Sequence, residues 1–196
     1  MRPYATIAAI LMLALLAQTG CTEQSSAPRV PNFPPISGTV VDADTGEPIE
    51  GAAVIATWVA AAGIGGGSYE GMNEDLTNYA GVFNINGTMY GGTDFNFAIY
   101  KYGYLAWSHN TRMINSDGKR ELVPGFEWKS GQTYRLEKFP PTWSHLNHTR
   151  FIEESVGHVP SPLIWKMMQP EEKFAAEERR ARDAERLRRM HEGNAK

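Results

Sequence analysis

Between Ile36 and Lys138 the chain is divided into short apolar segments, each closed by turn-forming residues, with no helical period between them. Few folds accept that pattern, and an antiparallel β-sandwich fits it best. ISGTVV reads as a first strand, and DADTGEP as a turn in which Asp, Gly and Pro each suit tight bends. AAVIATWVA follows as a buried strand, with Val54, Ala56 and Trp58 expected to face the core. AAGIGGGSYEGMNED reads as a flexible glycine-rich loop. VFNING places Phe83 and Ile85 on one face. DFNFAIYK alternates, with Phe95, Phe97 and Ile99 on one side and Asn96, Ala98 and Tyr100 on the other. A further strand is expected over 105–111, Asp117-Gly118 carries a hairpin signal, and TYRLEK closes the series with Tyr134 and Leu136 inward.

Residues 1–20 carry the zones of a secretory signal: Arg2, an apolar run from Ile7 to Ala17, then small or polar residues up to Gly20. The run is shorter than the roughly 20 apolar residues needed to span a bilayer. Cys21 is the only cysteine, so it has no partner for an intramolecular disulfide. The segment LLAQTGC resembles the lipobox of bacterial lipoproteins, although Gln18 stands where that motif usually has Leu. The resemblance implies cleavage before Cys21 and lipidation of its thiol, with acyl chains such as palmitate. Such an anchor holds a protein to a membrane without crossing it. An ordinary signal with an incidental cysteine is the alternative. Thr22 follows the cysteine in place of the aspartate that retains many lipoproteins at the inner membrane. The resemblance therefore favours the cell envelope, at the outer membrane facing the periplasm. Residues 21–35 are polar and proline-rich and read as a tether. The net charge of −3 implies no strong pull toward nucleic acid.

SGTVVDADTGEPIEGAAVIA resembles the opening of the carboxypeptidase regulatory-like domain, a transthyretin-like β-sandwich. Gly38, Val40, Asp42, Thr45, Gly46, Pro48, Ile49, Gly51, Ala52 and Val54 fit its hairpin in register. Thr77, Gly81, Phe83 and Ile85 resemble a later segment, and Gly103-Tyr104 the Gly-aromatic pair that ends another strand. The resemblance implies an all-β, transthyretin/prealbumin-like antiparallel sandwich over 36–139. The motif is structural: Gly46 supplies a position open to positive φ, and none of these residues needs a catalytic role.

After Pro140-Pro141 the strand pattern stops, and 140–169 reads as an irregular segment in which Trp143, Phe151 and Trp165 anchor onto the domain. Residues 170–192 form a charged helix, with Pro170 in its first turn, Glu171 and Glu172 at its positive end and Arg188 and Arg189 at the other. Glu178 to Arg182 and Glu185 to Arg189 are i,i+4 pairs in the favourable order. The apolar stripe of Phe174, Ala181, Ala184 and Leu187 is thin, which favours a solvated helix over a partner-binding one. Acids and bases nearly cancel along it, so nucleic acid is not the expected partner.

No catalytic constellation is complete. The H-x-x-E ligand pair of the zinc carboxypeptidases that carry such domains is missing, and so is H-E-x-x-H. The Tyr-Arg-Gly-Ser close of hydroxyisourate hydrolases is replaced by TYRLEK with more chain beyond. His145, His148 and His158, with Glu153 and Glu154, are the best metal candidate, because i and i+3 share a helix face and imidazole with carboxylate suits zinc. Common surface histidines account for the same pattern. Asp42 and Asp44 lack the remaining ligands of a calcium loop, and turn chemistry explains them. Ser116 and Lys119 match S-x-x-K, but the partner motifs are absent and Asp117-Gly118 points to a hairpin. GIGGGS has no following Lys-Ser/Thr and helix, so it is no P-loop. Tyr69, Tyr90, Tyr102, Tyr104, Trp107, Trp128 and Trp143 fall near loops or strand ends and could form a sugar platform.

The expectation from sequence is a non-catalytic, lipid-anchored envelope protein without a cofactor. Its sandwich would serve as a binding or structural module for an envelope protein or polysaccharide. The alternatives are a carbohydrate-binding module using the loop aromatics, and a zinc-dependent hydrolase at His145, His148 and His158.

Overall fold

The computed structural model describes residues 33–60, 68–88, 93–159 and 161–193. The signal segment, Cys21, most of the tether and Tyr90 lie outside the described residues.

Two sheets face each other. One has three strands in the order β4 (Val82–Ile85), β1 (Ile36–Asp42) and β9 (Gln132–Leu136). The other has four, in the order β3 (Ser68–Leu76), β2 (Ala53–Ala60), β5 (Thr93–Tyr100) and β6 (Trp107–Ser108). A two-stranded hairpin, β7 (Thr111–Met113) and β8 (Arg120–Leu122), stands beside them. Every ladder is antiparallel except β1–β9, which is parallel. The expected sandwich is therefore present, with TYRLEK closing it against the first strand.

Successive residues of a strand point to opposite faces, and β2 is apolar at nearly every position. It can therefore bury both. Val54, Ala56 and Trp58 enter the core between the sheets with Val40, Phe83 and Leu136. Ala53 and Ile55 face the other way, as do Ala98 and Tyr100 of β5. A third layer covers that second face: α1 (His145–Ser155) and α2 (Pro162–Gly193), through Phe151, Ile152, Ile164 and Met168. Each fully buried side chain of this size contributes roughly 1.5–3 kcal/mol relative to exposure.

The opening hairpin forms as its residues suggest. Gly46 has φ +74°, and its N–H donates to the Asp42 carbonyl at 2.9 Å. Gly81, at φ +72°, has no room for a side chain, since a Cβ there would sit 2.4 Å from the Val40 carbonyl oxygen. Asn115 folds the S-x-x-K stretch into the β7–β8 turn, its Oδ1 accepting from the N–H groups of Asp117 and Lys119.

Four expectations are corrected. Ser68 to Asp75, read as part of a glycine-rich loop, belongs to β3, an edge strand whose many polar residues hide its period. The segment 140–169, read as irregular, contains α1 and the first turns of α2. The long helix starts at Pro162 rather than Pro170, because Ser161 caps it, its hydroxyl accepting from the Ile164 N–H at 3.0 Å. Pro170 lies inside the helix. Trp165, expected as an anchor, is 47% exposed.

The sandwich has two distinct ends. Phe33, where the described chain enters, packs on Trp58 and Trp128. Trp58 pairs with Phe95 near one end of the β2–β5 ladder, and Ala53 pairs with Tyr100 at the other. There α2 passes over the sheet, and beyond Arg182, which bonds to Ser144 and Asn147, it continues to Gly193 with its side chains largely exposed.

Candidate functional site

A buried polar cluster holds the helical layer to the sheet. Glu171 of α2 is only 2% exposed and takes three donors. Its Oε1 accepts from Nδ1 of His148 at 2.7 Å and of His145 at 2.9 Å. Its Oε2 accepts from the Tyr100 hydroxyl at 2.8 Å. Burial alone pushes the Glu171 carboxyl up, but the hydrogen bonds from His148, His145 and Tyr100 outweigh it and hold it below its ordinary value. Burial and the neighbouring Glu171 charge push the Tyr100 hydroxyl far up, so it remains a donor. Phe139 stacks on both imidazoles, and Phe174 covers the other face of His145. Glu178 adds a second tie, accepting from the His145 N–H at 2.8 Å at the start of α1.

This geometry accounts for His145 and His148 without a metal. Nε2 of His148 accepts from the Ala106 N–H at 2.9 Å, which assigns the proton to Nδ1 and leaves neither nitrogen for a ligand. His158 lies three residues past the far end of α1, so the length of an 11-residue helix, about 16 Å, separates it from His145. Glu154 pairs with Arg120, and Glu153 lines a small cavity with His158. Among the described residues no group of three or more His, Cys, Asp or Glu is placed to hold a metal ion. Neither Glu171 nor Tyr100 stands out in the sequence, because a Glu after a proline reads as a helix-start charge and Tyr100 shares the strand face of Asn96 and Ala98, opposite the apolar one.

Asp42 sits at the second charged node. Its Oδ2 accepts from Lys138 Nζ at 2.7 Å and from the Tyr104 hydroxyl at 2.9 Å, while Oδ1 takes the N–H groups of Asp44 and Thr45. The hydrogen bond from Lys138, with those from Thr45, Tyr104 and Asp44, holds the Asp42 carboxyl well below the usual range. Asp42 in turn holds the Lys138 ammonium above its ordinary value. Both stay charged, so the amine is no nucleophile and the pair is a clasp on the opening hairpin.

The space that can take a ligand lies beside these ties. Leu105 N–H donates to the Glu137 carbonyl at 2.8 Å, so the chain there runs along the edge of β9. Two residues later Trp107 pairs with Ile99 of β5, in the opposite sheet. The chain thus crosses from one sheet edge to the other, and residues of the β7–β8 hairpin line the space beside the crossing. Elsewhere the seam is filled by Phe126, stacked on Phe97 at 5.5 Å, and by Trp128, whose Nε1 donates to the Pro34 carbonyl. What remains is a cleft of about 620 Å³. Leu105, Trp107, Met113, Val123 and Trp143 give it apolar walls, and Arg112, Glu121, Arg135 and Glu137 supply charge. Arg112 and Glu121 pair across the hairpin. Ala106, the residue bonded to His148, is part of the lining, so the buried cluster also fixes the cleft wall.

Of the aromatics singled out in the sequence, Trp107 and Trp143 meet in this cleft. Trp128 belongs to the aromatic filling, Tyr104 to the Asp42 clasp, and Tyr69 and Tyr102 are exposed. They do not form one platform.

No family model matches the chain, and no curated protein does. Among solved structures, it is similar to a streptococcal ancillary pilin at 15% identity, over 57% of this chain and 30% of that one, with a TM-score of 0.31. The shaft pilin SpaA of Lactobacillus rhamnosus GG matches at 14% identity, over 55% and 47% of the two chains, with a TM-score of 0.34. A 3-chlorocatechol 1,2-dioxygenase of Rhodococcus opacus matches at 15% identity, over 57% and 62%, with a TM-score of 0.35. The chain spans less than two thirds of each of these structures.

Proposed function

We propose that the protein is a lipid-anchored, non-catalytic binding module of the cell envelope, tethered through Cys21 and taking its ligand in the cleft between β6, β9 and the β7–β8 hairpin. The observation that carries the binding reading is the cleft itself: about 620 Å³, with apolar and charged walls side by side, within the range of ligand sites. The lipobox at Cys21 and the opening hairpin, with its resemblance to the carboxypeptidase regulatory-like domain, support an exported module of this kind. The absence of a complete catalytic motif in the sequence supports a non-enzymatic role.

Leu122 lies on the rim of the cleft and is 81% exposed. A photo-crosslinking residue placed there in intact cells is expected to trap an envelope component that the same residue at Tyr79, equally exposed but on a turn away from the cleft, does not trap. Identical patterns from the two positions would remove the cleft from the proposal. Labelling with radioactive palmitate that is unchanged by Cys21→Ala would remove the anchor.

A further inference from the structure

We infer that the cleft receives an extended peptide, which adds to β9 as a further strand. The inference rests on the reading of the cleft as a binding site and names the chemistry of its occupant. In a parallel ladder, neighbouring residues of a strand direct their N–H and C=O groups to opposite sides. The Leu136 carbonyl accepts from Ala43 N–H on the β1 side at 2.9 Å, and the Glu137 carbonyl accepts from Leu105 on the other. By alternation, the N–H and C=O of Arg135 and of Thr133 face away from β1. Among the described residues β9 has no second strand neighbour. The antiparallel contact that starts with the Tyr104–Lys138 bridge ends there, because the chain leaves to join β5 at Trp107. The free edge at Arg135 borders the cleft.

An unpaired strand edge is a template for another chain, and its amide spacing suits a peptide backbone better than a sugar. The side chains define which peptide. Tyr134 and Leu136 are buried while Arg135 is exposed, so Arg135 points to the outer face of the sheet. A residue paired opposite Arg135 shares that face, and a carboxylate there meets the guanidinium. Its two neighbours point inward, where Trp107 and Val123 offer apolar walls. The occupant is an extended segment that alternates apolar and polar residues, with an acid opposite Arg135.

The test uses a fluorescein-labelled, end-blocked pentapeptide, Val-Glu-Val-Thr-Val, and fluorescence polarisation with the complete protein. Saturable binding is expected. It should weaken by about tenfold when the glutamate amide of the peptide is N-methylated, the cost of one backbone hydrogen bond to an edge. Arg135→Pro removes the outward N–H together with the guanidinium, at an edge position where proline is tolerated, and should weaken binding more than Arg135→Gln does. Arg135→Gln keeps that N–H and should reduce the preference for Glu over Gln in the peptide. The N-methyl peptide keeps the test decisive even where Arg135→Pro misfolds. Equal binding of the methylated and parent peptides overturns the inference, and so does no saturable binding below about 1 mM. Cellohexaose binding in place of the peptide overturns it too, yet leaves the binding reading intact as long as crosslinking from Leu122 stays specific.

Discussion

On the side facing the three-stranded sheet, β2 and β5 present Trp58, Phe97 and Ile99 to a core in which almost everything is apolar. On the side facing the helices, the same two strands present Ile55 and Tyr100 to a layer built around a buried carboxylate. The dry face leaves two polar atoms unpaired, Trp58 Nε1 and the Tyr134 hydroxyl. Burial pushes the Tyr134 hydroxyl up to about 12. The wet face gives Glu171 three donors and His148 a partner on each nitrogen. Packing tolerates an occasional orphan, of which Arg120 Nε beside Phe151 is one on the helical side. A fully buried carboxylate such as Glu171, by contrast, is strongly destabilising unless hydrogen bonds offset its desolvation. The first face should fail by volume and the second by hydrogen bonding.

The largest effect is expected on the dry face. Phe97→Ala should cost about 4 kcal/mol and unfold all layers in one transition, measured by chemical denaturation. Glu171→Ala should cost about 3 kcal/mol, since it strands buried donors of His148 and Tyr100. Its mark is different: the helical layer should loosen, seen as fast amide exchange in α1, while β2 and β5 stay protected. Exchange that rises equally in both layers would erase the distinction.

Acid provides a graded version of the same test. The folded Glu171 carboxyl lies below its ordinary value of 4.5, so its contribution is complete above that pH and is lost as pH falls through the lowered value. Below about pH 4.5 the helical layer should weaken in the wild type, and this acid-dependent part should vanish in Glu171→Gln. Two hydroxyl deletions then set the faces against each other. Tyr100→Phe should destabilise by about 1 kcal/mol, and Tyr134→Phe should be neutral or stabilise by up to about 1 kcal/mol, because only the first hydroxyl has a partner. Losses of the same sign and size would mean that the two faces do not differ in this way. Smallest of all, Arg186→Ala on the exposed part of α2 should shift stability by less than about 0.5 kcal/mol.

The dry face was legible in the sequence and the wet face was not. AAVIATWVA and DFNFAIYK show period-two or continuous apolar character, and the structure uses them that way. In α1 the residues that face inward include Asn147, His148 and Thr149 beside Leu146, Phe151 and Ile152. Polar residues buried with partners look like surface when the partners are distant, and Glu171 lies 23 residues from His148. The start of α2 did carry a readable signal, Ser161 before Pro162, but Pro170 masked it by offering a second plausible start. The cleft has no local signature, since its walls come from segments that meet only after the chain crosses between sheets.

The course of α2 gives the molecule a direction. The chain enters beside Phe33 and Trp58, and the helix leaves past Tyr100, at the opposite end of the β2–β5 ladder. From Arg182 to Gly193 it runs on for about 16 Å without a further bond to α1. The rod therefore sets a reach: its exposed end lies beyond the end of the sandwich opposite Phe33, and whatever it meets approaches the domain from that side. Shortening the rod then changes reach while leaving the cleft's chemistry untouched.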